Sequence, residues 1–396
     1  MLKPFYLSLL ILAAVCFARC SHPSSAADRM VFRSDSSLLP PVSLKLKLAV
    51  LSSRKTRVMI DGLENFYDRQ LGKYFSGGML VARKGVIIFE RYQGMANAQT
   101  HTPIDAHTTF QLASTSKPFT AMAILWLQQQ GKLNIRDSIQ QFFPRFPYPG
   151  ITLKMLLDHR SGLPNYLYFS DSLWTNPSRL MTNQDVINLM IRYHPKPDYP
   201  PDTHFKYCNT NYCILGAIAE KVSHERLGIL LNNIFFRPLN MKDTWLYDPN
   251  YVIWRPNQSL SYDYRNRPIA AVPADGVIGD KNIYSTPEDL LKWDQALYSG
   301  KLFTQATLRA AFTPYSNEHP GIRNYGLGWR LLVYPDGEKI VYHNGWWHGN
   351  NSVFYRFIDD STTLIILCNR YDREVYQVHP IWKILHEMPT DYLGKE

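Results

Sequence analysis

The sequence has little of what defines several common protein classes. Only five cysteines occur in 396 residues, and two of them belong to the N-terminal twenty residues. The remaining three, Cys208, Cys213 and Cys368, are an odd number and do not make a disulfide framework. We expect mostly buried free thiols, with one bridge allowed. Internal repeats, low-complexity tracts and later apolar runs long enough to span a membrane are all missing.

Several catalytic signatures are absent as well. The chain contains no Gly-x-Ser-x-Gly, phosphate-binding loop, His-Glu-x-x-His or Cys-x-x-Cys. We therefore expect no cofactor and no metal. The net charge of +10 does not indicate nucleic-acid binding, because the lysines and arginines are scattered and no nucleic-acid motif accompanies them.

The N-terminus has the pattern of an export leader. A lysine precedes the apolar run 5–15, which is shorter than the ~20 residues that a spanning helix needs. Small residues and Cys20 follow, but Arg19 is unusual before a lipidated cysteine. Residues 1–20 are thus a signal peptide or a lipoprotein leader, and residues 21–56 a tether. We expect a periplasmic or envelope protein, either secreted or lipid-anchored at Cys20, with no other membrane contact.

One stretch combines a hydroxyl and an amine at a predicted helix start. Ser114-Thr115-Ser116-Lys117 precedes an apolar helix that has Pro118 in its first turn and stops near Gly131. A serine and a lysine one turn apart, beside unpaired backbone N–H groups, are the parts of an activated nucleophile. The same spacing recurs at residues 52–55, which we interpret as linker with no helix behind it.

Two further motifs accompany the first. Tyr207-Cys208-Asn209 lies between a proline-rich loop and a helix that Asn209 is predicted to cap, and His343-Asn344-Gly345 lies at the end of a predicted strand. In this order the three motifs resemble the serine β-lactamase and penicillin-binding-protein superfamily. The resemblance is strongest to its class C-type branch, which also contains D-Ala-D-Ala carboxypeptidases and esterases. It extends over about residues 57–390.

The resemblance implies a role for each motif. Ser114 would be the nucleophile, and either Lys117 or Tyr207 would take its proton; the sequence does not choose between them. Asn209 would orient Lys117 and the substrate amide. The backbone N–H groups of Ser114 and Trp346 would form the oxyanion hole.

Structural alternatives stay open for the partner residues. Tyr207 could be a buried aromatic, Asn209 only a helix cap and His343 a strand-end histidine without a substrate contact. Trp346 could be an ordinary core or surface aromatic. In each of these alternatives the residue has a purely structural role and does not contact a substrate.

The third motif departs from the family pattern. Relatives carry Lys-Thr-Gly or His-Thr-Gly there, and these residues help to hold a substrate carboxylate. Here Asn344 replaces the threonine, and Trp346 replaces the small residue that commonly follows the glycine. We expect a more aromatic site with weaker carboxylate anchoring, so β-lactam hydrolysis is less favoured than esterase or amidase activity. His343, Asn344, Gly345 and Trp346 remain candidate substrate-binding residues.

The order of elements predicts an α+β fold. Strand patterns occur at both chain ends and helical patterns between them, which fits one antiparallel sheet flanked by helices and carrying a mainly helical insertion. The domain is predicted to span 57–396, with the α/β part at about 57–112 and 276–396 and the insertion at about 113–275.

The function predicted from these features is that of an exported serine acyl hydrolase. Its acyl-enzyme would form at Ser114 on an ester, a small amide or a D-amino-acid peptide. The alternative is a sensor module on the same fold that binds cell-wall-like ligands or β-lactams with little or no turnover. A monomer is expected.

Overall fold

A seven-stranded antiparallel sheet built from both ends of the chain is the centre of the structure. The described residues contain twelve strands in all, seven of which form this sheet. They are β1 (Gly77–Arg83), β2 (Val86–Gln93), β3 (Met95–Asn97), β4 (Thr102–Pro103), β5 (Phe110–Gln111), β6 (Trp245–Leu246), β7 (Ile283–Ser285), β8 (Arg323–Tyr325), β9 (Arg330–Val333), β10 (Lys339–Trp347), β11 (Asn350–Phe357) and β12 (Thr362–Cys368). In space the order is β2-β1-β12-β11-β10-β9-β8. Because β1 pairs with β12, the two chain ends meet in one sheet, and the α+β prediction is confirmed.

Helices cover both faces of this sheet. The computed structural model describes residues 38–39, 41–248, 255 and 257–386. In these residues the α-helices are α1 (Leu44–Ser52), α2 (Arg54–Phe66), α3 (Lys117–Gln129), α4 (Ile139–Phe142), α5 (Leu153–Leu157), α6 (Tyr166–Leu173), α7 (Asn183–Tyr193), α8 (Asn209–Ser223), α9 (Leu227–Leu231), α10 (Pro287–Tyr298), α11 (Gln305–Ala311) and α12 (His379–His386).

The central strands are apolar on both sides because both sides are covered. Along β1, Leu80 and Ala82 belong to the large core shared with α3 and α8, whereas Met79 and Val81 belong to the core under α2 and α12. The alternation follows from the two-residue period of a strand. A strand buried on both faces reads as a continuous apolar run, and β12 does so from Leu364 to Leu367.

The segment between β5 and β7 is mainly helical in its described part. It contains α3 to α9, with β6 as its short strand, and β5, β7 and β6 form a small second sheet. The Ser114 turn directly follows β5 of this small sheet. The boundaries 113 and 275 stay predictions.

The last part of the predicted tether is helical at residues 44–52 and 54–56, and its boundary at residue 56 stays a prediction. α1 buries only Val50, so its Leu-Lys-Leu-Lys start shows no apolar stripe and reads as linker. α2 buries Met59, Leu63 and Phe66. The second Ser-x-x-Lys copy therefore does lie at a helix start, contrary to our interpretation.

The sequence pattern also suggests a last helix over about 372–388, and in the structure this helix begins only at His379. A single 3₁₀ turn at Glu374–Tyr376 precedes α12, which runs from His379 to His386. Within the described ranges, no helix has both the length and the apolar character needed to cross a membrane. The predicted leader, with Cys16 and Cys20, lies outside those ranges.

Candidate active site

Ser114 lies in the turn that leads from the sheet into α3. Ala113–Ser116 form one 3₁₀ turn, and α3 begins at Lys117 with Pro118 in its first turn, as predicted. Ala113 has a φ of 48°, which costs a residue with a side chain about 1–2 kcal/mol. This left-handed residue reverses the chain direction immediately before the serine.

Hydrogen bonds from β10 and β11 hold the turn in place. Ser352 Oγ donates to the carbonyl of Leu112 at 2.7 Å, and Thr115 Oγ1 donates to the carbonyl of His343 at 3.3 Å. The position of Ser114 is therefore fixed from the sheet side as well as by α3.

The Lys117 side chain is fully buried and directly beneath Ser114. Its Nζ lies 3.0 Å from Ser114 Oγ, 2.8 Å from Asn209 Oδ1 and 2.9 Å from the backbone oxygen of Asp280. An ammonium group can donate to all three. A neutral amine can donate to Asn209 and Asp280 and still accept the hydroxyl proton of Ser114. The same geometry therefore suits both states of a proton acceptor.

Tyr207 faces the same region with its hydroxyl unbonded. Its Oη is buried and makes no hydrogen bond among the described residues. Two cations lie over its ring, Lys117 Nζ at 5.0 Å and the Arg330 guanidinium at 5.1 Å from the centroid. Tyr207 is not hydrogen-bonded to Ser114 in this structure.

Asn209 is not the helix cap that we predicted. The N-cap of α8 is Cys208, which makes no side-chain capping bond, and Asn209 is the first helical residue. Its amide oxygen instead accepts from Lys117. The reading of Asn209 as only a cap is thus incorrect, because its side chain is committed to the lysine.

The structure places His343 behind the site. The ring is fully buried, with Nε2 3.1 Å from the Tyr325 hydroxyl and Nδ1 2.8 Å from the carbonyl of Asn344. Burial, and then the charges of Arg330 and Lys117, lower the pKa of this imidazole well below its usual value. Both ring nitrogens are engaged within the protein, so neither is left for the substrate contact that the motif predicts.

The residues after His343 form an open strand edge. β9 pairs with β10 only from Lys339 to Tyr342, so the edge from residue 343 onward has no strand partner on that side. Gly345 lies directly against the nucleophile turn: a Cβ there would be 2.8 Å from Ser114 N and 2.2 Å from the carbonyl oxygen of Leu112. Only glycine permits this approach.

A cavity of about 570 Å³ opens over Ser114. Of the predicted substrate-binding residues it is lined by Asn209, Asn344, Gly345 and Trp346, and Tyr207 also lines it. Trp346 is 58% exposed, so the predicted aromatic character is present. Asn344 donates to the Tyr355 hydroxyl at 3.3 Å, while its buried Oδ1 has no partner in the described structure.

Arg330 is the most important lining residue that we did not predict. It follows Trp329 directly and projects into the cavity from β9. Its buried Nε has no hydrogen-bond partner within the described part of the chain. Arg330 is therefore a cation beside the cavity that the third motif does not supply, while the expectation of weak carboxylate anchoring stays a prediction.

A buried ion pair between Lys281 and Asp280 also lines the cavity. Lys281 Nζ lies 3.4 Å from the Asp280 carboxylate and 2.5 Å from the Tyr166 hydroxyl, which itself donates to Asp280 at 2.9 Å. Burial lowers the pKa of Lys281, an effect that Asp280 partly offsets. No sequence motif marks these residues, since their proximity comes from the packing of α6 against the loop before β7.

The three cysteines of the domain are free and buried. Burial raises the pKa of Cys208 to about 11 and that of Cys368 to about 12, and it also raises that of Cys213. All three are therefore protonated near neutral pH, and Cys208 is inert despite its place between Tyr207 and Asn209.

Comparison with known proteins places this geometry in context. A family model described as Beta-lactamase matches residues 64–386. Penicillin-binding protein 4* of Bacillus subtilis is 31% identical over 316 residues, which are 76% of this chain and 70% of that protein. Protein flp of Staphylococcus aureus is 26% identical over 292 residues, 70% of this chain but only 56% of flp.

The fold is shared with solved structures. D-amino acid amidase from Ochrobactrum anthropi SV3, crystallised with L-phenylalanine, superimposes with a TM-score of 0.68 over 85% of this chain and 99% of the amidase. The identity is 21%, so this likeness concerns the fold.

Proposed function

The chain belongs to the beta-lactamase family of serine hydrolases, as its motifs predicted, and on this premise we propose that it cleaves D-amino-acid peptides or amides through an acyl-enzyme on Ser114. The observation that carries the proposal is the contact between Ser114 Oγ and the buried Lys117 Nζ at the floor of an open cavity. A serine hydroxyl is a poor nucleophile until a base accepts its proton.

Lys117 is suited to accept that proton directly. With two hydrogens of a neutral amine committed to Asn209 and Asp280, its remaining lone pair points at Ser114. As Oγ bonds to the substrate carbonyl carbon, the proton passes to Nζ. Its return to the departing amine accompanies cleavage of the carbon–nitrogen bond. Water then attacks the ester carbon, and Ser114 regains a proton.

The oxyanion would be held by two backbone N–H groups. Ser114 N lies against Gly345, whose neighbour Trp346 belongs to the open part of the β10 edge. Each such donor typically contributes about 100–1,000-fold in rate.

Arg330 favours a peptide over a neutral ester. The Arg330 guanidinium, which has no acidic partner in the described part of the chain, would bind a carboxylate on the leaving group through charge-assisted hydrogen bonds. D configuration is taken from the relatives named for D-amino acid amides and penicillin binding. Export to the envelope, with or without a lipid anchor at Cys20, is proposed from the leader pattern.

The experiment compares the chain with its Ser114→Ala variant on four probes: a fluorescent penicillin, a chromogenic cephalosporin, a p-nitrophenyl ester and a D-alanyl-D-alanine peptide. Ser52→Ala is the matched control, because Ser52 belongs to the second Ser-x-x-Lys copy and is exposed. We expect peptide cleavage that is lost in Ser114→Ala and kept in Ser52→Ala. Turnover that survives in Ser114→Ala would exclude the mechanism.

Stable labelling by penicillin without turnover of any probe would favour the sensor alternative. Cleavage of the ester alone would favour an esterase. Either result would reject the peptide and amide assignment.

A further inference from the structure

The cavity has a second polar end, opposite Arg330. Arg330 lies beside Tyr342 at the start of the open β10 edge, and His348 follows the last residue of β10. His348 is four positions beyond Asn344 in the sequence, about 13 Å along the edge. Ser114 lies between them, against Gly345. If Arg330 holds the leaving group, the His348 end faces the acyl group of the substrate.

At this end His348 is paired with an aspartate. Its Nε2 lies 3.0 Å and 3.1 Å from the two carboxylate oxygens of Asp275. The side chain of His348 is 18% exposed and lines the cavity. Its Nδ1 has no hydrogen-bond partner among the described residues.

Asp275 is occupied by the protein and does not itself reach a ligand. It accepts from Trp347 Nε1 at 2.6 Å and from the backbone N–H of Val272 at 2.8 Å, besides His348. Burial alone would raise the pKa of this carboxyl, but His348, Val272 and Trp347 together lower it below its usual value. An ionised Asp275 requires the proton of a neutral imidazole to lie on Nε2, which makes Nδ1 a hydrogen-bond acceptor.

The nearby cation Lys281 does not change the position of the proton on Nε2 of His348. Lys281 Nζ lies 4.9 Å from the centroid of the Trp347 ring, but it is paired with Asp280. The other cations, Lys117 and Arg330, lie at the floor and at the far end of the cavity.

We infer that His348, held by Asp275, forms a subsite that accepts a hydrogen bond from the α-nitrogen of the substrate's acyl residue. The inference deepens the proposed function and rests on it for the direction of the substrate. A free α-ammonium or an α-amide supplies the required donor, whereas an acyl group without nitrogen does not.

The test uses three p-nitroanilides with one leaving group: D-alanyl, N-acetyl-D-alanyl and propionyl. In the full chain, His348→Phe should lower kcat/KM about tenfold on the two nitrogen-bearing substrates and leave the propionyl substrate within about twofold. His348→Asn keeps an acceptor and tolerates the φ of 53° at this position, so it should recover part of the loss. His107→Phe is the control, because His107 also pairs with an aspartate, Asp243, but at an exposed position.

A loss of equal size on all three substrates, or no loss, would overturn the subsite. A binding measurement tests the His348 subsite even if the protein turns over none of the substrates. In the Ser114→Ala background, calorimetry should show that His348→Phe weakens D-alaninamide about tenfold and leaves propionamide unchanged. Absence of Ser114-dependent hydrolysis with this binding pattern would reject the proposed reaction alone, whereas equal effects on both amides would reject the subsite alone.

Discussion

Replacing Gly345 by alanine should disable Ser114 and leave the sheet folded. The added Cβ would lie 2.2 Å from the carbonyl oxygen of Leu112, 2.5 Å from Ser352 Oγ and 2.8 Å from Ser114 N. An unstrained contact of this kind is about 3.5 Å. The hydroxyl of Ser352 can rotate, but the other two atoms are backbone of the nucleophile turn, so β10 and this turn must separate by roughly 1 Å.

The cost of that separation falls on catalysis more than on stability. Overpacking of a tight site costs about 1–3 kcal/mol, against a free energy of unfolding of about 5–15 kcal/mol for a typical domain. A shift of 1 Å removes the alignment of the Ser114 N–H with the developing oxyanion, and loss of one such donor costs about 100–1,000-fold. We therefore expect a folded variant whose acylation is slower by at least about 100-fold.

The assay is the rate of covalent labelling of Ser114 by a fluorophosphonate probe, with urea unfolding measured in parallel. Gly228→Ala is the control, because a Cβ there would meet Leu246 Cδ2 at 3.6 Å, an ordinary contact, in the helix α9. Labelling of folded Gly345→Ala within about threefold of the wild-type rate would refute the view that Gly345 sets the position of Ser114.

Three further predictions concern charged groups. Arg330→Gln should lower kcat/KM about 10–100-fold on a peptide with a C-terminal carboxylate and leave a p-nitroanilide nearly unchanged; equal loss on both would contradict the carboxylate role. Asp294→Asn should lower the free energy of unfolding by about 3–5 kcal/mol in urea titrations, because the buried Arg356 guanidinium lies 2.6 Å from Asp294. Burial raises the pKa of Asp158 from 3.8 to about 6 despite its ion pair with Lys154, so the folded state binds the extra proton. The free energy of unfolding should then fall by up to about 3 kcal/mol between pH 4 and pH 6, and urea titrations of Asp158→Asn should lack this component.

The sequence predicts the elements whose pattern is local. The hairpin of β1 and β2 follows from two apolar runs around a tight turn, where Lys84 and Gly85 both have positive φ, as a two-residue turn requires. The helix after Ser114 follows from an apolar run with a proline in its first turn. α1 escapes prediction because it buries only Val50, and a helix without an apolar stripe has no periodic signal.

The site is predictable to the extent that its residues are neighbours in sequence. Ser114 and Lys117 are one turn apart, and their contact is a property of the helix. Arg330, Asp275 and His348 come together only through strand pairing and loop packing, which leave no motif. The resemblance gives His343 a substrate contact, but its ring is fully buried and both its nitrogens lie within hydrogen-bond distance of protein groups, the Tyr325 hydroxyl and the carbonyl of Asn344.

The two candidate bases differ in how they are connected, and this difference bears on the order of the proton transfers. Lys117 Nζ touches Ser114 Oγ and has fixed acceptors for its other hydrogens, so proton transfer from the nucleophile needs no rearrangement. The Tyr207 hydroxyl is buried and has no hydrogen-bond partner among the described residues, and Tyr207 lines the cavity. The geometry thus favours Lys117 for activation of Ser114 and leaves Tyr207 free to exchange a proton with the leaving group or with water. A shared network of this kind explains why both residues are present although one base would be enough for the first step.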